Sequence, residues 1–298
     1  MRTTSLIISV TTALTVIACS SDEKGYDATG TFEATEVTVS AEQSGRIMSL
    51  NITEGQEVSG NEQLGLIDTV QLQLKALQLG ATKETFEYQK PDIEKQIAAT
   101  RQQIATAEKE QRRAANLVKD GAANQKQLDD ANANVLVLRR QLEAQISSLG
   151  KSTRSLTSQS SATEIQRAQI IDQLKKCHIS SPIQGTILEK YVECGDFATV
   201  GKPLFKVADM KDVYLRAYIT SQQLEKVKTG QAVTVFSDYG NNKRKQYKGI
   251  ITWISEHSEF TPKSIQTEDE RADLVYAVKI LVKNDGYIKL GMYGEVKF

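Results

Sequence analysis

Residues 43–68, QSGRIMSLNITEGQEVSGNEQLGLID, and residues 183–208, IQGTILEKYVECGDFATVGKPLFKVA, register without gaps at a constant offset of 140. Gly45 falls on Gly185, Ile47 on Ile187, Gly55 on Gly195, Leu64 on Leu204 and Ile67 on Val207. Each copy reads as short apolar strands punctuated by turns, with Gly45, Gly55, Gly185 and Gly195 as the turn glycines. A unit of this size cannot bury a core alone, since chains below about 40 residues usually need outside help to fold. The two copies are therefore expected to pack face to face as one domain.

The repeated G-x-I, E-G or C-G and L-x-x-I elements resemble the two halves of a biotinyl/lipoyl-type β-barrel. A carrier of that type joins its halves at a tight hairpin that displays a modified lysine. Here residues 69–176 stand at that junction, with no M-K-M or D-K-A tripeptide at either edge, which argues against a swinging-arm carrier. A lipoyl-like barrel split by a long insert resembles the HlyD-type periplasmic adaptor, or membrane fusion protein, family. The expected fold is α+β, elongated and multidomain. A split lipoyl-like domain (31–68 and 177–209) is interrupted by an antiparallel α-helical coiled-coil hairpin (69–176) and followed by a β-barrel domain (210–298).

The insert is helical by period. Ile93, Ile97, Thr100, Ile104, Ala107, Gln111, Ala114 and Val118 alternate spacings of four and three, and Leu128, Ala131, Val135, Leu138, Leu142, Gln145, Leu149, Ser152 and Leu156 resume the pattern after a break. Two arms of ~50 residues, rising 1.5 Å each, give a hairpin of order 75 Å. Pro91 lacks an amide donor and disfavours helix at Lys90, so the first arm should break there. Residues 151–163, KSTRSLTSQSSAT, carry eight Ser and Thr and make a poor isolated helix.

At the turn, Arg113, Leu117 and Asn124 stand at positions 0, +4 and +11. That spacing resembles the Arg-Leu-Ser tip motif by which adaptors of this family engage a TolC-like outer-membrane channel, with Asn124 in place of Ser. Arg113 and Leu117 share a helical face. Gly121 and Asn124 are also what a helix end followed by an N-cap requires, so only Arg113 and Leu117 carry functional weight.

The N-terminus reads as an export signal: Arg2, then an apolar run from Leu6 to Ala18, 13 residues and too short to span ~30 Å of hydrocarbon. It ends in Val16-Ile17-Ala18-Cys19, which resembles a bacterial lipobox, with a polar tether over 19–30. Lipidation of Cys19 would anchor the chain in the cell envelope, on the periplasmic side and at the inner membrane, without a transmembrane helix.

Beyond residue 210, Val213, Leu215, Ala217 and Ile219 alternate with polar neighbours as a half-buried strand. Thr220 with Gln223 starts a short helix through Val227, ended by Gly230. Strands follow near 232–236, 247–255, 274–282 and 290–298, resembling the family's β-barrel domain with its L-x-G-M segment at Leu290, Gly291 and Met292. The connection 256–273 is long and charged. With few residues between Cys19 and the first strand, and none after the last, no material is seen for a membrane-proximal domain. That short form, with the EFTPK stretch at Glu259 to Lys263, resembles adaptors of ATP-driven (ABC-type) exporters.

Lys and Arg number 37, as do Asp and Glu, and this balance argues against nucleic acid as a partner. Catalysis is not expected: His178 and His257 lie in different domains without convergent partners, and no H-E-x-x-H, G-x-S-x-G or phosphate-binding glycine loop occurs. No cofactor and no metal is expected either. Cys177 and Cys194 leave two readings open, a disulfide or two small thiols. The resemblance implies a homo-oligomer, a hexameric ring, bridging an inner-membrane transporter to the outer-membrane channel. An adaptor of a proton-driven (RND-type) pump and a purely structural envelope coiled-coil lipoprotein remain as alternatives.

Overall fold

The computed structural model describes residues 25–240, 243–260 and 274–298. Strand β1 (Ala28–Ser40) leads into β2 (Gly45–Leu50), β3 (Glu57–Val58) and β4 (Gln63–Ile67). Three helices follow, α1 (Val70–Tyr88), α2 (Ile93–Lys119) and α3 (Gln125–Lys176). The chain then forms β5 (His178–Ser180), β6 (Gly185–Lys190), β7 (Phe197–Ala198) and β8 (Pro203–Thr220), a short α4 (Ser221–Leu224), and β9 (Ala232–Asp238), β10 (Arg244–Phe260), β11 (Leu274–Lys283) and β12 (Tyr293–Lys297).

The repeat builds a sandwich whose halves are interleaved rather than merely stacked. β3 of the first copy pairs with β6 of the second, Glu57 opposite Thr186, and β7 of the second pairs with β2 of the first, Phe197 opposite Arg46. These pairs map onto each other at the offset of 140. So do the flanking bonds: Gly55 N–H donates to Ile187 O at 2.8 Å, and Gly195 N–H to Ile47 O at 2.8 Å. The symmetry extends beyond the quoted repeat, because Thr38 opposes Lys206 as His178 opposes Leu66. Two four-stranded sheets result, β5-β4-β2-β7 and the equivalent end of the larger sheet, β1-β8-β6-β3. Between them lie Ile47, Ile52, Val58, Leu64 and Ile67 with their counterparts Ile187, Val192, Ala198, Leu204 and Val207, all buried.

Two of the expected boundaries move for one reason. β1 is already strand at Ala28, inside the expected tether, and its first residues pair with β12. β8 runs unbroken from Pro203 to Thr220, so the boundary expected between 209 and 210 falls inside a strand. β1 and β8 stay paired along nearly their whole lengths and serve both β bodies. Their far halves close the six-stranded barrel β1-β12-β9-β10-β11-β8, around Phe32, Leu215, Ile219, Val235, Ile251 and Ile280. The Asn284 side chain reinforces this junction, donating to Met210 O and Ile288 O at 2.9 and 3.0 Å.

Other local expectations are refined. Thr220 and Gln223 form the capping box, but α4 stops at Leu224 rather than Val227. Gly45 and Gly185 open strands instead of making turns: a Cβ on Gly45 would stand 2.8 Å from Ile67 Cγ2, and one on Gly185 would overlap the Ala208 carbonyl oxygen. Gly55 and Gly195 are the turn glycines, at φ +83° and +97°, a region that side chains disfavour.

Candidate docking tip of the hairpin

The insert folds back on itself with a break at the expected place. α1 ends at Tyr88 and α2 begins at Ile93, capped by Asp92, whose side chain accepts from Lys95 N–H. α2 and the descending α3 meet along the predicted seam. Ile97, Thr100, Ile104 and Ala107 are buried on α2 and Val135 on α3, while Ser160 and Thr163, beyond the predicted positions, are buried where α3 runs beside α1. One seam position shifts: Ser152 is exposed and Thr153 takes its place, because the spacing after Leu149 is four rather than three. The Ser/Thr-rich stretch remains helical within the 52-residue α3. Thr153, Thr157, Ser158 and Thr163 donate to carbonyls four residues back, so their hydroxyls are satisfied within the helix.

The seam also carries polar pairs. Thr100 Oγ1 donates to Gln145 Oε1 at 2.9 Å, and Ser160 Oγ to Glu87 Oε1 at 2.6 Å. Lys83 and Glu164 pair at 3.0 Å, and Arg139 and Glu108 at 2.6 Å. Lys90 and Ser160 together hold the Glu87 carboxyl below the usual carboxylate range, Lys90 more strongly. Lys83 does the same for Glu164, against a smaller opposing effect of desolvation.

The tip is built by two caps back to back. α2 ends at Lys119 with Asp120 as C-cap; Ala122 N–H donates to Leu117 O at 2.8 Å and Gly121 N–H to Val118 O at 3.1 Å. This is the Schellman pattern, which needs a left-handed residue, and Gly121 has φ +72°. Asn124 then caps α3, its Oδ1 accepting from Gln127 N–H at 3.0 Å. Asn124 is thereby accounted for by the turn. Arg113 is 74% exposed at its side chain and stands 3.7 Å from the Glu110 carboxylate, and Leu117 is 42% exposed. A cation and an apolar knob one helical turn apart are thus presented outward, a pairing suited to the end of another helix.

Sequence reading missed Leu136 and Val137, 58% and 62% exposed beside the seam residues Val135 and Leu138. The signal was present: an apolar run of four, Val135 to Leu138, is wider than one seam stripe can bury.

The remaining site expectations separate by location. Cys19 lies outside the described residues, as does most of the 256–273 connection. Cys177 and Cys194 are free thiols. Burial pushes the Cys177 thiol up, and its Sγ donates to Gln173 O at 3.4 Å; Cys194 is exposed beside Met48 O at 3.2 Å. Among the described residues no group of three or more His, Cys, Asp or Glu is placed to hold a metal. None of the described helices is long and apolar enough to cross a membrane.

With this geometry in view, residues 35–210 match the family model described as RND MFP, barrel-sandwich hybrid domain, MFP denoting membrane fusion protein. The UPF0194 membrane protein YE2891 of Yersinia enterocolitica is 27% identical over 298 residues, covering 90% of this chain and 88% of that relative. Among solved structures, MacA from Actinobacillus actinomycetemcomitans aligns with 90% of this chain and 76% of its own at TM-score 0.57 and 23% identity. A MacA-MexA chimera carrying the Pseudomonas aeruginosa MexA α-hairpin domain aligns at TM-score 0.52 and 26% identity, over 90% of this chain and 79% of that one. Both share the fold.

Proposed function

We propose a function from one premise: the chain belongs to the membrane fusion protein family, the periplasmic adaptors that act between inner-membrane transporters and outer-membrane channels. In this reading it is the adaptor of a tripartite export system, and its hairpin reaches a TolC-like channel through Arg113 and Leu117. The observation that carries the reading is the tip itself. A Schellman end and an N-cap satisfy the turn's backbone from within, leaving the side chains of Arg113 and Leu117 exposed. Work in such a system is bridging and sealing, with energy supplied by the transporter.

An acylated Cys19 anchors the chain to the inner membrane, and copies close into a hexameric ring so that the hairpins line a conduit. A seam this poor in buried apolar side chains favours such lateral support. The transporter is of ABC type in the reading that the barrel's resemblance favours. A proton-driven partner is the second reading, favoured by the name of the matched family model.

Arg113→Asp combined with Leu117→Ser is expected to abolish export while expression and helicity stay normal. Unchanged efflux in that double variant would remove the tip from the mechanism. Crosslinking in cells followed by gentle-detergent purification distinguishes the partners: a permease with its ATPase supports the first reading, a proton-driven pump the second. Recovery of the chain's own oligomer alone points to a structural envelope lipoprotein.

A further inference from the structure

Trp253, the only tryptophan in the chain, belongs to no core; it stands on the outer face of the barrel, 43% exposed. Strand register gives its surroundings row by row. Lys297, Thr234 and Lys248 lie side by side on β12, β9 and β10. Ala232, Ile250 and Leu281 form the next row on β9, β10 and β11. Trp253 opposes Lys279 across β10 and β11, with the ammonium 6.0 Å from the indole centroid. The residues alternating with these rows, Val233, Val235, Ile251 and Ile280, are buried, so the rows themselves face outward. Ile250 is 51% exposed.

The carboxylates at neighbouring outward positions are taken up by arginines: Glu295 pairs with Arg244 at 2.7 Å and Glu259 with Arg216 at 2.9 Å. Among the described residues the barrel's ion pairs use Arg216, Arg244, Lys245 and Lys283, and Lys248, Lys279 and Lys297 have no carboxylate partner. A tryptophan and an isoleucine ringed by unpaired lysines match a bilayer interface, where indole rings sit at headgroup level and ammonium groups meet lipid phosphates.

Chain length brings that interface within reach. Asp27 N–H donates to Val296 O at 2.8 Å and Ala28 pairs with Val296, so the chain enters the barrel beside Lys297. Cys19 precedes Gly25 by six residues, and an extended chain spans at most ~3.6 Å per residue, so an acylated Cys19 holds the bilayer within about 20 Å of Gly25.

We propose that this barrel face rests on the anionic phospholipid headgroups of the membrane that holds the anchor. Trp253 and Ile250 enter the interface, and Lys248, Lys279 and Lys297 lie against phosphate. The placement rests on the lipidation of Cys19 given above; the chemistry of the face does not. Acyl chains on a flexible tether fix only a point, whereas a second contact fixes the barrel's orientation and with it the direction of the hairpin.

The test uses the mature chain with Cys19→Ser, so that binding reports the face and not the lipid, and Trp253 emission as an intrinsic probe. On phosphatidylglycerol-containing vesicles the emission is expected to move to shorter wavelength and to be quenched by brominated acyl chains, with no change on phosphatidylcholine alone. Lys248→Glu and Lys297→Glu, both at exposed positions, are each expected to lower the partition coefficient at least about fivefold. Emission unchanged on anionic vesicles overturns the proposal, as does a photocrosslinker at position 253 that captures a permease instead of lipid in cells. The intact mass of the wild-type protein from membranes reads the anchor separately. An unacylated Cys19 with vesicle binding preserved sinks the anchor alone, and acylation without vesicle binding sinks the face alone.

Discussion

The sandwich and the hairpin are built from the same chain by opposite means. In the sandwich, 15 buried apolar residues from two distant copies and the residues flanking them form one core, and each copy's short strand completes the other copy's sheet. In the hairpin, α1 buries no residue fully, and three of the seven buried on α2 and α3 are polar: Thr100, Ser160 and Thr163. Stability therefore concentrates at the base, while the arm is held by a thin seam and by its caps. The division suits a device whose arm must fit partners and whose base must stay put.

The strongest way to break this comparison is to attack the base. Ile47→Ala and Ile187→Ala remove fully buried side chains at equivalent positions of the repeat, and each is expected to cost about 2–5 kcal/mol. Because the copies are interleaved, urea unfolding followed by far-ultraviolet dichroism should show one β transition in either variant. Separate melting of the two copies would contradict the interleaved sandwich. At the tip, Gly121→Ala and Asn124→Ala should each cost roughly 1 kcal/mol of hairpin stability, the first through strain at positive φ and the second through the lost N-cap. Thermal melting monitored at 222 nm would move, and the base would not.

The seam offers a change of opposite sign. Thr100→Val with Gln145→Leu replaces a polar pair by an apolar one and should leave hairpin stability unchanged or raise it by up to about 1 kcal/mol, whereas Thr100→Val alone should lower it, since Gln145 loses its partner. The smallest effect is in pH. Glu87, Asp92 and Glu164 have lowered pKa values in the fold, through Lys90, the Lys95 amide and Lys83 respectively. Their contribution is present above the ordinary carboxylate pKa and is lost as pH falls through the lowered folded values, so helicity should fade on acidification before the β signal does. Simultaneous loss of both signals would show that these carboxylates do not act locally.

Much of this was legible in the chain. The repeat at offset 140 revealed a split domain because equivalent burial demands equivalent residues: Ile47 and Ile187, and Leu64 and Leu204, fill equivalent places in one core. Pro91 revealed the helix break because a missing amide donor is a local fact. The seam was readable down to Leu149, where periodicity alone could not tell a spacing of three from one of four. Ser152 and Thr153 are alike in polarity, and only the partner helix chooses between them.

By itself, then, the sequence determined what depends on local chemistry and on period: the repeat, the helical insert, the capped tip and the alternation of the barrel strands. Tertiary structure alone decided which strands exchange between the copies, that β1 and β8 run through both β bodies, and that Ile250, Trp253 and three lysines share one outer face. Each of these depends on pairing between residues far apart in the chain. Alternation in one strand says which side chains turn inward, but it does not say which strand comes to lie beside it.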